Sequence, residues 1–196
     1  MNFLVKKICD LLVKWCEKKG RKHLITGGSN EDVYLVRYIV FKSKWGCVYI
    51  HRFMRSDADD PHDHPWSFWT YVISNGYTEV RYDRSKPAIS LDMERTTLEP
   101  GLHNIHLFFS EYWTRSENVR KPGDFSKIRA NDIHQVVVDK PRNMDEIKDA
   151  PYTICLMGPR VREWGFWPLE MRGTGFLDWR EYLDIKPGDS RIEGSE

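Results

Sequence analysis

The sequence predicts an all-β fold: a double-stranded β-helix, a small jelly-roll barrel of two sheets, with an amphipathic helix at the amino terminus and a short helix near the carboxyl terminus. Three observations predict it. Runs rich in Val, Ile, Tyr, Phe and Trp at 33–41, 45–54, 67–73 and 77–82 read as strands. Asn75-Gly76 between the last two is a strong short hairpin signal. His62-Asp63-His64 precedes one strand and His134 opens another, so imidazoles from separate strands can meet inside a barrel.

Taken in order, residues 1–30 read as a helix and a loop, 31–185 as the barrel, and 186–196 as a flexible tail. In the helix, Phe3, Leu4, Ile8, Leu11, Leu12, Trp15 and Cys16 recur at steps of three and four, a stripe expected to pack across the outside of the barrel. The strands 33–41 and 45–54 are joined by a turn at 42–44, and Arg52 and Arg55 flank the end of the second. Residues 89–98 alternate apolar and polar as in a half-exposed strand. Residues 100–121 do not read as a barrel strand and are expected to be an insertion, a lid or hairpin that carries His103 and His106. Strands follow at 136–138 and 152–157, separated by a polar surface loop. At 160–167 a strand would place Arg160, Arg162 and Trp164 on one face, and 178–184 reads as the last helix.

The length of 196 residues suits one domain with a core that needs no disulfide or structural metal. Thirty basic against 29 acidic residues leave a net charge of +1, so no global field draws the chain to nucleic acid or an anionic membrane. No apolar run reaches the ~20 residues of a membrane span. Cys9, Cys16, Cys47 and Cys155 have no C-x-x-C spacing and read as reduced thiols of a cytoplasmic protein. Nucleophile elbows, phosphate loops and H-E-x-x-H are absent from the sequence.

His62 and His64 read as alternate residues of a strand, which project the same way about 7 Å apart along the backbone and supply half a metal site. Asp63 points away between them, and Asp60 is placed for a hydrogen bond to an imidazole N–H, which would fix its tautomer. His62 and His64 with Gly76, and Gly123 followed at set intervals by Arg129, Asn131 and His134, resemble the two motifs of the cupin superfamily. The resemblance covers residues 33–160, 128 of the 196, and is similar to small viral or bacterial proteins carrying His-Asp-His-Pro-Trp. It departs from the family pattern at Phe68 or Trp69, where a glutamate ligand would fall, and at Val138, where the second motif closes with asparagine. Asn131 stands where the family has glycine and would supply the same left-handed backbone.

The resemblance implies one divalent transition metal on His62, His64 and His134, with Fe(II) first and Zn, Mn or Ni as alternatives. It implies a mononuclear non-haem iron oxygenase of the dioxygenase kind acting on a small, anionic substrate. Arg52 and Arg162 would orient that substrate, and Trp66 and Trp164 would stack on it. The alternatives are a sugar isomerase or epimerase, and a barrel that binds or sequesters a sugar or nucleotide without chemistry. The partner is a small molecule in each case, and a homodimer is compatible with all of them.

Overall fold

The alternating runs fold into eleven strands and two helices among the described residues, 3–26, 33–56, 60–84, 113–168 and 176–185 of a computed structural model. In chain order these are α1 (Phe3–Lys18), β1 (Lys22–Thr26), β2 (Val33–Ser43), β3 (Gly46–Phe53), β4 (Phe68–Ser74), β5 (Tyr77–Arg84), β6 (Trp113–Arg120), β7 (Phe125–Ile128), β8 (Ile133–Val137), β9 (Tyr152–Met157), β10 (Gly165–Phe166), β11 (Leu177–Asp178) and α2 (Trp179–Ile185). A large sheet runs β1-β2-β3-β9-β4-β7, a second runs β6-β5-β8, and β10 pairs with β11. All pairings are antiparallel, and the chain changes sheet between β4 and β5, between β6 and β7, between β7 and β8, and between β8 and β9. That alternation is what makes a double-stranded β-helix, as the sequence predicts.

Asn75-Gly76 does turn the chain, with Asn75 at φ 49°, but it is no hairpin, because β4 pairs with β7 and β9 whereas β5 pairs with β6 and β8. The turn carries the chain from one sheet to the other. A Cβ at Gly76 would run into the Arg120 carbonyl oxygen, so glycine serves here for close approach to β6. The expected insertion is corrected as well: residues 113–120 form a barrel strand, β6, in register with β5 from Tyr77↔Arg120 to Arg84↔Trp113. The expected strand at 89–98, His103 and His106, and the tail at 186–196 lie outside the described residues.

Parity along the large sheet decides what faces inward. Arg37 on β2 lies opposite His51 on β3, which lies opposite Thr153 on β9. Two residues along, Tyr49, Cys155, Thr70 and Ser126 form the next row. The outward row is apolar: Val36, Tyr38, Ile50 and Tyr152 pack with Cys9 and Cys16 of α1, and Val5, Leu12 and Val13 add to that core. Each such aliphatic side chain, fully buried, would contribute about 1.5–3 kcal/mol.

The helix thus covers the outside of the barrel, but of the expected stripe only Leu12 and Cys16 face the sheet. Val5, Cys9, Leu12, Val13 and Cys16 face the sheet, while Leu4, Ile8, Leu11 and Trp15 stay 41 to 64% exposed. Two apolar stripes lie one residue apart on α1, about 100° round the helix, and the sheet is wide enough to cover only one. No helix among the described residues is long and apolar enough to cross a membrane.

Candidate metal centre

His62 and His134 are joined by a reciprocal backbone pair, His62 N–H to His134 O at 3.2 Å and His134 N–H to His62 O at 3.0 Å. The sequence reading placed the His-x-His segment on a strand. It is instead extended chain outside any regular strand, bridged to His134 on one side and Phe166 on the other. Such a bridge sets two residues directly across from each other with side chains on the same face. His64, two residues on, is held by its N–H to Ala130 O at 3.1 Å. That carbonyl belongs to the turn before β8, closed by Asp132 N–H to Arg129 O at 3.0 Å and by Arg129 N–H to Asp132 Oδ2 at 2.9 Å. Asn131 in this turn does not take the left-handed conformation anticipated for it: among the described non-glycine residues only Asn75 has positive φ.

Asp63 alternates to the opposite side and is 0% exposed. Its carboxylate accepts from Gly165 N–H at 2.9 Å and from Arg162 Nη1, and Arg162 also donates to Ala130 O at 3.0 Å. Burial pushes the Asp63 carboxyl up, and the Gly165 amide and the Arg162 guanidinium oppose that shift. The Asp63–Arg162 pair therefore fastens together the segments that carry His62, His64 and His134.

The three imidazoles converge. Their ring centroids are 5.1, 5.3 and 4.9 Å apart for His62–His64, His62–His134 and His64–His134. Nε2 of His64 lies 2.7 Å from Nε2 of His134, and all three potential ligand atoms fall within 4.8 Å of one another. Ligands ~2.1 Å from one ion stand at most ~4.2 Å apart, so the cluster is slightly wider than a closed set. Burial, then the neighbouring His134, His62 and Arg37, pushes His64 well below the usual imidazole range, so its ring is neutral with a lone pair to give. This donor set fits a divalent transition ion.

The position of the family's glutamate is occupied by side chains that cannot ligate. Phe68 packs edge-on against His64, with centroids 5.0 Å apart, and Trp69 faces outward beneath Lys127. A carboxylate reaches the cluster from elsewhere. Glu79 of β5, 1% exposed, places Oε1 3.7 Å from Nδ1 of His134 and is held by Arg81 Nε at 2.8 Å and Arg120 Nε at 2.6 Å. Burial raises its pKa, but the contacts with His134, Arg81 and Arg120 together outweigh this and hold it at about 2. An anion beside Nδ1 favours the tautomer that leaves Nε2 free for a metal.

The sequence reading gave that tautomer-fixing role to Asp60. Asp60 is buried and accepts from the Tyr182 hydroxyl at 2.8 Å, which ties α2 to the rim, where the Tyr182 ring stacks on Phe166 at 3.9 Å. Arg52 faces away from the cluster. Its guanidinium lies 3.5 Å from the Tyr152 ring centroid and donates to the Lys148 and Ala150 carbonyls at 3.4 Å, on the outer face with Val36. Arg162 is engaged by Asp63, and Arg160 pairs with Glu163 at the surface. The segment 160–167 is a strand only at Gly165–Phe166, so the one-face alignment of Arg160, Arg162 and Trp164 does not form.

Trp66 and Trp164 both line a cavity of about 170 Å³ that opens beside the three histidines. Its walls include Phe53, Phe68, Tyr77, Glu79 and Phe166, together with Arg37, His51 and Cys155. The volume is many times the ~10–15 Å³ needed to admit one water, and it leaves room for a small substrate. The sequence reading passed over Glu79 and Arg37. Arg37 is legible as a lone charge in the apolar run 33–41, whereas Glu79 is masked by Arg81, Asp83 and Arg84 on the same strand.

No protein-family model matches the chain, and no curated protein is similar to it. Solved structures are distantly similar. The structure of KdgF from Halomonas sp. is 16% identical with a TM-score of 0.38, the match covering 67% of this chain and 87% of that one. A conserved protein with a double-stranded β-helix domain from Klebsiella pneumoniae is 14% identical with a TM-score of 0.38, covering 72% and 90%. Hydroxypropylphosphonic acid epoxidase from S. wedmorenis is 10% identical with a TM-score of 0.40, covering 70% of this chain and 56% of that one.

Proposed function

We propose that this chain, a cupin-type barrel by its two-sheet topology and its inward three-histidine cluster, is a mononuclear non-haem iron oxygenase acting on a small substrate. The observation that carries the reading is the convergence of His62, His64 and His134 on one point at the wall of a substrate-sized cavity, with no protein carboxylate among them. Three protein ligands leave coordination positions open, and Fe(II) held there would supply redox chemistry toward O2. Zn, Mn and Ni suit the same ligands, and the metal found is the first outcome to measure.

The chain's own residues do the rest. Glu79, 3.7 Å from His134 Nδ1, favours the tautomer with Nε2 free, and the Asp63–Arg162 pair fixes the ligand segments. Phe68, Trp66, Trp164 and Phe166 surround the cluster with aromatic surface that limits water and gives a flat substrate something to stack on. An isomerase or epimerase is less favoured, because its chemistry needs a general base. Glu79, held at about 2 and paired with two arginines, and His51, pushed well below its usual range by burial and Arg37, are both weak ones. All four cysteines are free thiols, which suits the reducing cytoplasm proposed as its location.

Elemental analysis of protein purified without added metal, followed by an oxygen-electrode assay of the Fe(II)-loaded protein against small organic substrates, tests the reading. One iron per chain with His64-dependent oxygen uptake is the expected result. Stoichiometric zinc with no oxygen uptake, and a ligand recovered unchanged, would overturn it in favour of a binding protein.

A further inference from the structure

We propose that Arg37 forms a carboxylate-binding subsite in the cavity, so that the substrate is a small organic carboxylate with its acid group on β2 and its reacting end toward the three histidines. The proposal deepens the reading above and rests on it for the reacting end only. The carboxylate contact itself requires no metal.

Arg37 occupies an inward position of β2 and lines the same cavity as His62, His64 and His134. It makes no ion pair with a carboxylate among the described residues; its contacts are Nε–H to His51 Nε2 at 3.2 Å and the Tyr49 ring, 4.9 Å away. The carboxylate among the cavity residues, Glu79, is already engaged by Arg81 and Arg120. A cation desolvated without a counter-ion is costly, and a bound anion would offset that cost.

The neighbours of Arg37 aim it. His51 accepts from Arg37 at Nε2, which leaves its proton on Nδ1, 3.5 Å from Cys155 Sγ, and the Cys155 thiol in turn donates to Thr70 Oγ1 at 3.5 Å. The chain of donors from Arg37 through His51 and Cys155 to Thr70 is complete with a neutral His51. Burial and the adjacent guanidinium keep His51 in that state. His51 is thus a positioning residue: it holds Nε and leaves the two Nη groups as a planar fork.

Such a fork matches the two oxygens of a carboxylate. A tetrahedral phosphoryl dianion asks for a second cation or a set of amides, and among the described cavity residues Arg37 is the lysine or arginine present. The rest of the subsite, Ile25, Leu35, Phe53 and Val136, is apolar and suits a short hydrocarbon body.

The test is isothermal titration calorimetry of the full-length protein, metal-loaded and chelator-treated, with propionate, its neutral isostere propionamide, and methylphosphonate. Metal content is measured on each sample. Wild type should bind propionate saturably in both forms and propionamide at least tenfold more weakly. Arg37→Met should lose at least tenfold in propionate affinity with metal content unchanged, Arg37→Lys should fall between, and the surface control Arg160→Met should match wild type. His51→Phe should weaken propionate while His51→Gln, which keeps an acceptor, restores part of the affinity. If Arg37→Met fails to fold, the Arg37→Lys result decides. Propionate binding that is unchanged in the Arg37 variants, that requires the metal, or that is weaker than methylphosphonate binding would overturn the proposal. Protein that takes up no iron yet binds propionate through Arg37 would leave the subsite standing and remove the oxygenase reading.

Discussion

Arg37 and Arg52 sit on adjacent strands of one sheet and have opposite surroundings. Arg52 faces outward, over the Tyr152 ring and against two backbone carbonyls, beneath α1. Arg37 faces inward, braced by a neutral histidine and with no carboxylate partner among the described residues. The outer face uses its polar groups to complete packing, whereas the inner face keeps one charge uncompensated beside three converging imidazoles. A strand's parity, not its composition, separates an arginine that completes packing from one that faces the cavity.

The largest effect expected is on the inner face. His64→Ala or His134→Ala should abolish stoichiometric metal, read by elemental analysis, while circular dichroism shows a folded barrel, because a core of this size does not depend on an ion. Retention of metal in both variants would break the comparison at its root. Next in size, Arg162→Ala strands the buried Asp63 carboxylate and should cost about 3 kcal/mol, a fall in Tm of roughly 6–12 °C. A thermal melt within 2 °C of wild type would show that the pair does not fasten the ligand segments.

Smaller, and confined to the site, Glu79→Gln should weaken metal affinity about 10–100-fold in a competition titration with a chelator. The finest test returns to the two arginines. Arg52→Met should lose about 1 kcal/mol of stability with its cation–π contact, whereas Arg37→Met should leave Tm level or raise it, since it removes an unpaired buried cation. Equal losses in the two melts would erase the distinction between the faces.

Much of this was legible in the sequence, and the failures share a cause. Strands were readable because β-branched and aromatic runs carry a period of two. The cluster was readable because His62, His64 and His134 are three of only seven histidines and sit at motif-like spacing. What could not be read was the partner of each strand. Asn75-Gly76 looks the same whether the next strand folds back on β4 or crosses to the other sheet, and β6 hides behind Arg115, Ser116, Glu117 and Asn118, polar residues suited to the edge of a small sheet. Arg52 was chosen for its nearness in sequence to His62, yet its neighbour His51 takes the inward place. Glu79 does not take the ligand place sought at Phe68 or Trp69; it arrives from another strand to stand behind His134, a role that motif spacing cannot express.

The reciprocal hydrogen bonds between His62 and His134 also govern how the site would let go of an ion. His62 and His64 share one segment and His134 lies on the other, so a breathing motion that parts these segments carries two imidazoles away from the third in one step. Release should accordingly be cooperative, governed by the free energy of opening that bridge rather than by the bond strength of any one nitrogen. The amide protons of His62 and His134 would report it, exchanging with solvent in step with each other and more slowly once an ion is held.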